Sequence, residues 1–187
     1  MTDYLRLLVI FLAAINPAAV VGGIRPVRAT WDNETRRKAA VAGAAIALAL
    51  FAVAAAAGQR LLDFLVVAPE TFRIAAGIVM AISGGMAVLG LRTFEGDPEP
   101  GWRGGLFPLA MPLMASPAAL VAAISYGVDD GASKTLNAML VPLAVATALV
   151  ALRVERWQTA TSAISRVLGA LLVVVAVGLI IEGVRAI

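Results

Sequence analysis

The sequence predicts an all-α integral membrane protein: six transmembrane helices built as two inverted three-helix repeats, with discontinuous helices 1 and 4. Three observations predict it. The composition is that of a chain that spans a bilayer, six long stretches carry no charge, and short patterns recur in the same order in both halves. Of 187 residues, 61% are hydrophobic and 14% charged, and the mean hydropathy is +0.92. A soluble domain carries about a quarter charged residues and under half apolar ones.

The uncharged stretches cover residues 7–24, 39–57, 74–91, 106–128, 135–152 and 167–181. A helix needs about 20 apolar residues to cross the hydrocarbon. It satisfies its own backbone hydrogen bonds, as the bilayer requires. A soluble bundle would carry a charged outer stripe, and residues 39–57 have no charge on any face. The sixth stretch is short and is expected to extend through Arg166, whose side chain can snorkel to the interface. The first apolar run continues through Asn16-Pro17 with only Arg6 ahead of it. It is therefore expected to be a span and not a cleaved signal peptide.

Loop charges set an expected orientation. Arg25, Arg28, Arg36, Arg37, Lys38, Arg92, Arg103, Arg153, Arg156 and Arg166 fall on one side; Arg6, Arg60, Arg73, Lys134 and Arg185 fall on the other. Ten against five places the richer side in the cytoplasm of a bacterial-type inner membrane, with both termini outside. Residues 1–94 form the expected first repeat, 95–105 a turn-rich cytoplasmic linker and 106–187 the second repeat, in a single membrane domain.

The repeat rests on two matches. Asn16-Pro17-Ala18-Ala19-Val20-Val21 stands 100 residues before Ser116-Pro117-Ala118-Ala119-Leu120-Val121. Arg73-Ile74-Ala75-Ala76-Gly77 answers Arg166-Val167-Leu168-Gly169-Ala170, with Gly85 and Gly90 answering Gly178 and Gly183. Three spans per half force the second half to enter from the opposite face, an architecture common in transporters.

Pro17 and Pro117 each remove a donor and clash with the preceding turn, so both spans should break or kink at matching depths. The half-helix beyond each break exposes N–H groups and the positive end of its dipole, which suits a carboxylate. Asn16 and Ser116 stand where N-caps stand, and Ala18, Ala19, Ala118 and Ala119 leave room. These eight residues are the candidate substrate site. A lone proline would only kink its helix; a matched pair favours a site. Pro108 and Pro112 should make the start of span four irregular. Ser83-Gly84-Gly85 suits close helix packing, as does the small-residue face at residues 54–58, which leaves a homo-oligomer open. Glu182 is the acidic residue near a span end and a weaker candidate for proton coupling.

With no Cys and no His, thiolate or imidazole metal sites and catalytic Cys or His are excluded. No phosphate loop or nucleophile–base pair is present, so no enzyme and no cofactor are expected. The basic residues follow the loops and do not form the single basic face that nucleic acid requires.

At this point the residues carry a resemblance. Ile15-Asn16-Pro17, Phe72-Arg73-Ile74-Ala75-Ala76-Gly77-Ile78, the run from Pro108 through Pro112 to Ser116-Pro117, and Arg166-Val167-Leu168-Gly169 together resemble the MarC family of six-span membrane proteins, which includes SnatA-type small neutral amino acid transporters. The resemblance implies paired discontinuous helices, a glycine- or alanine-sized amino acid held between them, and alternating access. The chain departs from the family pattern at Ala19, where Asn-Pro-x-Gly is usual, and at Ser116-Pro117-Ala118, where Gly-Pro-Gly is usual. The expected function is a secondary transporter for a small neutral amino acid, coupled to protons or sodium or to neither, with one three-helix unit moving against the other. The alternatives are an exporter of other cargo, a channel, and a non-transporting scaffold or regulator.

Overall fold

The computed structural model describes residues 2–24, 31–91, 103, 106–152 and 158–187. Its main elements run α1 (Thr2–Ile15), α2 (Pro17–Gly23), α3 (Asn33–Leu65), α4 (Pro69–Leu89), an irregular segment (Leu106–Met114), α5 (Pro117–Asp129), α6 (Ala132–Ala151) and α7 (Gln158–Ala186). Five helical stretches are long and apolar enough to cross a membrane, with Asp3–Gly23 counted as one, and the pair Leu106–Met114 and Pro117–Asp129, bent by 56°, is either a sixth, broken span or a re-entrant loop. Five of the six expected stretches therefore fall on a candidate span, and the fourth falls on the bent pair. Arg25, Arg28, Arg92, Arg153, Arg156 and the linker 95–105 apart from Arg103 lie outside the described residues.

Two spans are longer than their apolar runs. α3 has 33 residues, roughly 50 Å at 1.5 Å per residue, against a hydrocarbon core of about 30 Å. Asp32 caps it, its carboxylate accepting the Thr35 N–H at 2.9 Å. Hydrogen bonds from the Thr35 side chain and backbone hold that carboxyl below the usual carboxylate range. α7 has 29 residues and passes through Arg166 without a break, because the Ser- and Thr-rich stretch before it continues the helix.

The helices alternate in direction, so the molecule has an Arg36 end and an Asp129 end. At the first, the buried Arg36 donates from Nε to the Ala151 carbonyl at 3.3 Å and from Nη2 to Asn33 Oδ1 at 2.9 Å. A cation at the C-terminus of α6 also meets the negative end of its dipole. At the other end Arg73 clasps Asp129 with two hydrogen bonds, the Nε–Oδ2 one at 3.0 Å. Beside it Arg6 lies 3.8 Å from an Asp130 oxygen and 5.8 Å above the Tyr126 ring, which meets Phe11 edge-on.

Packing runs across the halves. α4 lies along α7, α3 lies on α5 and α6, and α1 and α2 lie on α6 and α7. Among the described residues, α5 on α6 is the one extensive contact within a half. A three-helix half sliding as a unit past the other would separate nearly every helix pair in the molecule. The α4–α7 pair is the closest. Carbon added at Gly84 would come within 2.7 Å of the Gly169 carbonyl, at Gly77 within 2.9 Å of the Ala176 carbonyl, and at Gly183 within 2.7 Å of the Glu70 carbonyl. These contacts recur every seven residues in antiparallel register, which keeps one face of each helix turned to the other.

Candidate functional site

The chain turns at Asn16, whose φ of 47° and ψ of 73° are left-handed. The following proline excludes the helical region at this position, and asparagine is among the few non-glycine residues that enter the left-handed one. Its side chain then works in two directions. Oδ1 accepts the Ala19 N–H at 3.1 Å, and Nδ2 donates to the Ser165 carbonyl at 3.1 Å and the Ser165 hydroxyl at 3.3 Å. The turn is thereby capped and tied to α7. At the second break Ser116 is extended, and its hydroxyl accepts the Ala119 N–H at 3.2 Å while donating to the Ala14 carbonyl at 3.1 Å. Ala14 sits in the last turn of α1, where carbonyls lose their helical donors. The hydroxyl of one break thus serves a carbonyl of the other.

The irregular segment leads into that second break. Phe107 and Met111, each just before a proline, are extended at φ near −136°, which the proline rings enforce. Leu109, Ala110, Met114 and Ala115 are fully buried there.

The eight expected site residues separate. Asn16, Ala19 and Ser116 line a cavity of about 60 Å³ between the breaks, with Ser83 and Pro112. Ala18 and Ala19 also line a larger cleft of about 260 Å³, completed by Gly22, Gly23, Ala87, Gly90, Leu91, Thr161, Ser162, Ser165 and Arg166. Pro17, Ala118 and Ala119 are buried and line neither space, and Pro117 is exposed on the surface. Glu182 stands at the exposed end of α7, away from both.

The hydroxyls of α7 were not singled out from the sequence. Thr161 with Ser165 and Ser162 with Arg166 are each four apart, so all four share one face of a helix. That spacing is the signal that could have found them. The cleft opens between α2 and the α4–α7 pair, at the Arg36 end of the molecule.

A family model described as MarC family integral membrane protein matches residues 1–187. The chain belongs to that family. Comparison with curated proteins and with solved structures found no match. In this MarC family member the two breaks, the short polar cavity between them and the wider cleft beside α2 form one continuous neighbourhood, since Ala19 and Ala87 line both spaces. Among the described residues no group of acidic side chains is arranged to hold a metal ion.

Proposed function

We propose that this protein is a secondary transporter for a small neutral amino acid of glycine or alanine size, with paired breaks in spans one and four on an inverted repeat. The observation that carries this reading is the cleft of about 260 Å³ that runs from the Asn16 turn to the Arg36 end between helices of both halves. Small-molecule pockets usually begin near 300 Å³, so a space of this size suits a solute of few atoms. It shares Ala19 and Ala87 with the cavity between the breaks, near the repeat interface where transporters of this architecture bind.

The packing supports the repeat. If spans one to three are exchanged for four to six, α3 on α5 answers α6 on α1 and α2, and α4 on α5 answers α7 on α1 and α2. The pairs α3–α6 and α4–α7 map onto themselves. The starts of α2 and α5 are partly claimed, because Asn16 and Ser116 already hold the Ala19 and Ala119 amides. A carboxylate there would use the Ala18 and Ala118 amides or displace the caps. The cleft therefore bears more of the reading than the half-helix ends do.

Counterflow of labelled glycine, alanine and serine into proteoliposomes tests it, with Ala19→Leu as the paired variant. Ala19 lines both spaces, so its enlargement should abolish counterflow while leaving the melting temperature close to the parent's. Undiminished exchange in the variant would place the pathway elsewhere. Absence of exchange for all three in the parent would favour other cargo or the scaffold reading.

A further inference from the structure

Arg73 and Arg166 answer each other in the two halves of the sequence, and the structure treats them differently. Arg73 is neutralised by Asp129. Arg166 lies against Gly90, its Nη2 3.3 Å from where a Gly90 Cβ would stand, and makes no ion pair with any described carboxylate. It lines the cleft together with Thr161, Ser162 and Ser165, and no acidic residue is among the described lining residues. Among its described lining residues the cleft thus holds one positive charge, flanked by hydroxyls that can donate, in a space of small-solute size.

The same cleft has a second polarity. Ala87, Gly90 and Leu91 bring the C-terminal end of α4 to its wall, and Gly22 and Gly23 bring the end of α2. Helix C-termini carry partial negative charge. The guanidinium sits at the end of α4, against Gly90, and with the hydroxyls of α7 supplies the donors on that wall, while the end of α2 lines the other.

We infer that Arg166, with Ser162 and Ser165, forms a carboxylate-binding subsite of the cleft. This rests on the transport reading for its biological use but makes its own claim, that one named cation binds the carboxylate. The guanidinium supplies planar paired donors to that group, which an ammonium cannot reproduce.

The test is ligand binding by the purified full-length protein, read as a rise in melting temperature, with glycine, acetate and methylamine as probes. The parent should respond to glycine and to acetate but not to methylamine. Arg166→Gln should weaken both responses at least tenfold in apparent affinity, Arg166→Lys should fall between, and Arg37→Gln, an exposed cation elsewhere, should match the parent. Gly22→Leu gives an independent arm if Arg166→Gln folds poorly. An added Cβ at Gly22 meets nothing within 4 Å, so this variant should fold, fill the cleft and lose both responses. Acetate and glycine binding unchanged in Arg166→Gln overturns the inference and leaves Arg166 as a cap on α4. No response of the parent to either probe overturns it as well. Binding lost in Arg166→Gln without any counterflow in the parent keeps the subsite and sinks the transporter. Counterflow present in the parent and unaltered in Arg166→Gln does the reverse.

Discussion

Asn16 and Ser116 were legible from sequence as polar residues before matched prolines, and the structure gives both the capping role that position implies. What the sequence did not carry was their outer partner. The Ser165 carbonyl and the Ala14 carbonyl are 149 and 102 residues away, and no local pattern reports a contact at that separation. The difference has consequences. Ser116→Ala removes a cap, worth about 1 kcal/mol, and also withdraws the hydroxyl from Ala14. Replacing Asn16 by Asp keeps the cap acceptor but turns a donor into a charge facing the Ser165 carbonyl, and a buried polar group set against an acceptor costs about 1–3 kcal/mol. Thermal unfolding in detergent should therefore rank the parent above Ser116→Ala and Ser116→Ala above Asn16→Asp. An Asn16→Asp protein as stable as the parent would mean that the tie to α7 contributes nothing.

Among the elements, the six spans were readable because absence of charge over 15 or more residues is a local property. The lengths were not. The sixth uncharged run begins at residue 167 and was extended only through Arg166, whereas the helix reaches back to Gln158 and the hydroxyls it gains there are a wall of the cleft. Register was also out of reach. Gly85 and Gly178 match in the repeat, yet an added carbon at either meets nothing within 4 Å, while Gly84 and Gly169 are in backbone contact with each other's helix. Helix packing through small residues depends on which face meets the partner, and two adjacent glycines do not declare it. The pair makes a clean comparison. Gly84→Ala forces α4 from α7 and should lose about 1–3 kcal/mol, the usual range for overpacking. Gly85→Ala and Gly178→Ala should be neutral or stabilising by up to about 1 kcal/mol, since alanine is the better helix former. Equal melting temperatures for Gly84→Ala and Gly85→Ala would place the α4–α7 contact in another register.

For the whole molecule, the two ends differ among the described residues. At the Arg36 end the described residues leave a cleft between α2 and the α4–α7 pair. Under the repeat, its counterpart is the space between α5 and the same pair at the Asp129 end, and there Arg73 on α4 holds Asp129 on α5. On the transport reading, and because contacts run across the halves, a movement that opens the Asp129 end need not carry spans one to three together. It can tilt the α4–α7 pair, the two spans that the repeat maps onto each other, against the rest. The Arg73–Asp129 pair is then the contact that must break when the Asp129 end opens. Its side chains are 22% and 20% exposed, and a pair of that exposure is worth about 1 kcal/mol, or about fivefold in the balance between states. The chain has no cysteine, so a single introduced thiol reports alone. Ser125 is 2% exposed, nearly isosteric with cysteine, and one turn before Asp129 on the same face of α5. In a Ser125→Cys background, Asp129→Asn should raise labelling by a membrane-impermeant maleimide applied at the Asp129 face by about fivefold, and lower that of a Gly22→Cys reporter in the cleft. Reversing the pair, Arg73→Asp with Asp129→Arg, should restore the parent rates. Loss of stability alone would raise both labelling rates together, whereas a shift between two closed-and-open states moves them in opposite directions. Unchanged Ser125→Cys labelling in Asp129→Asn would remove the pair from the gate and leave it as a tie between α4 and α5.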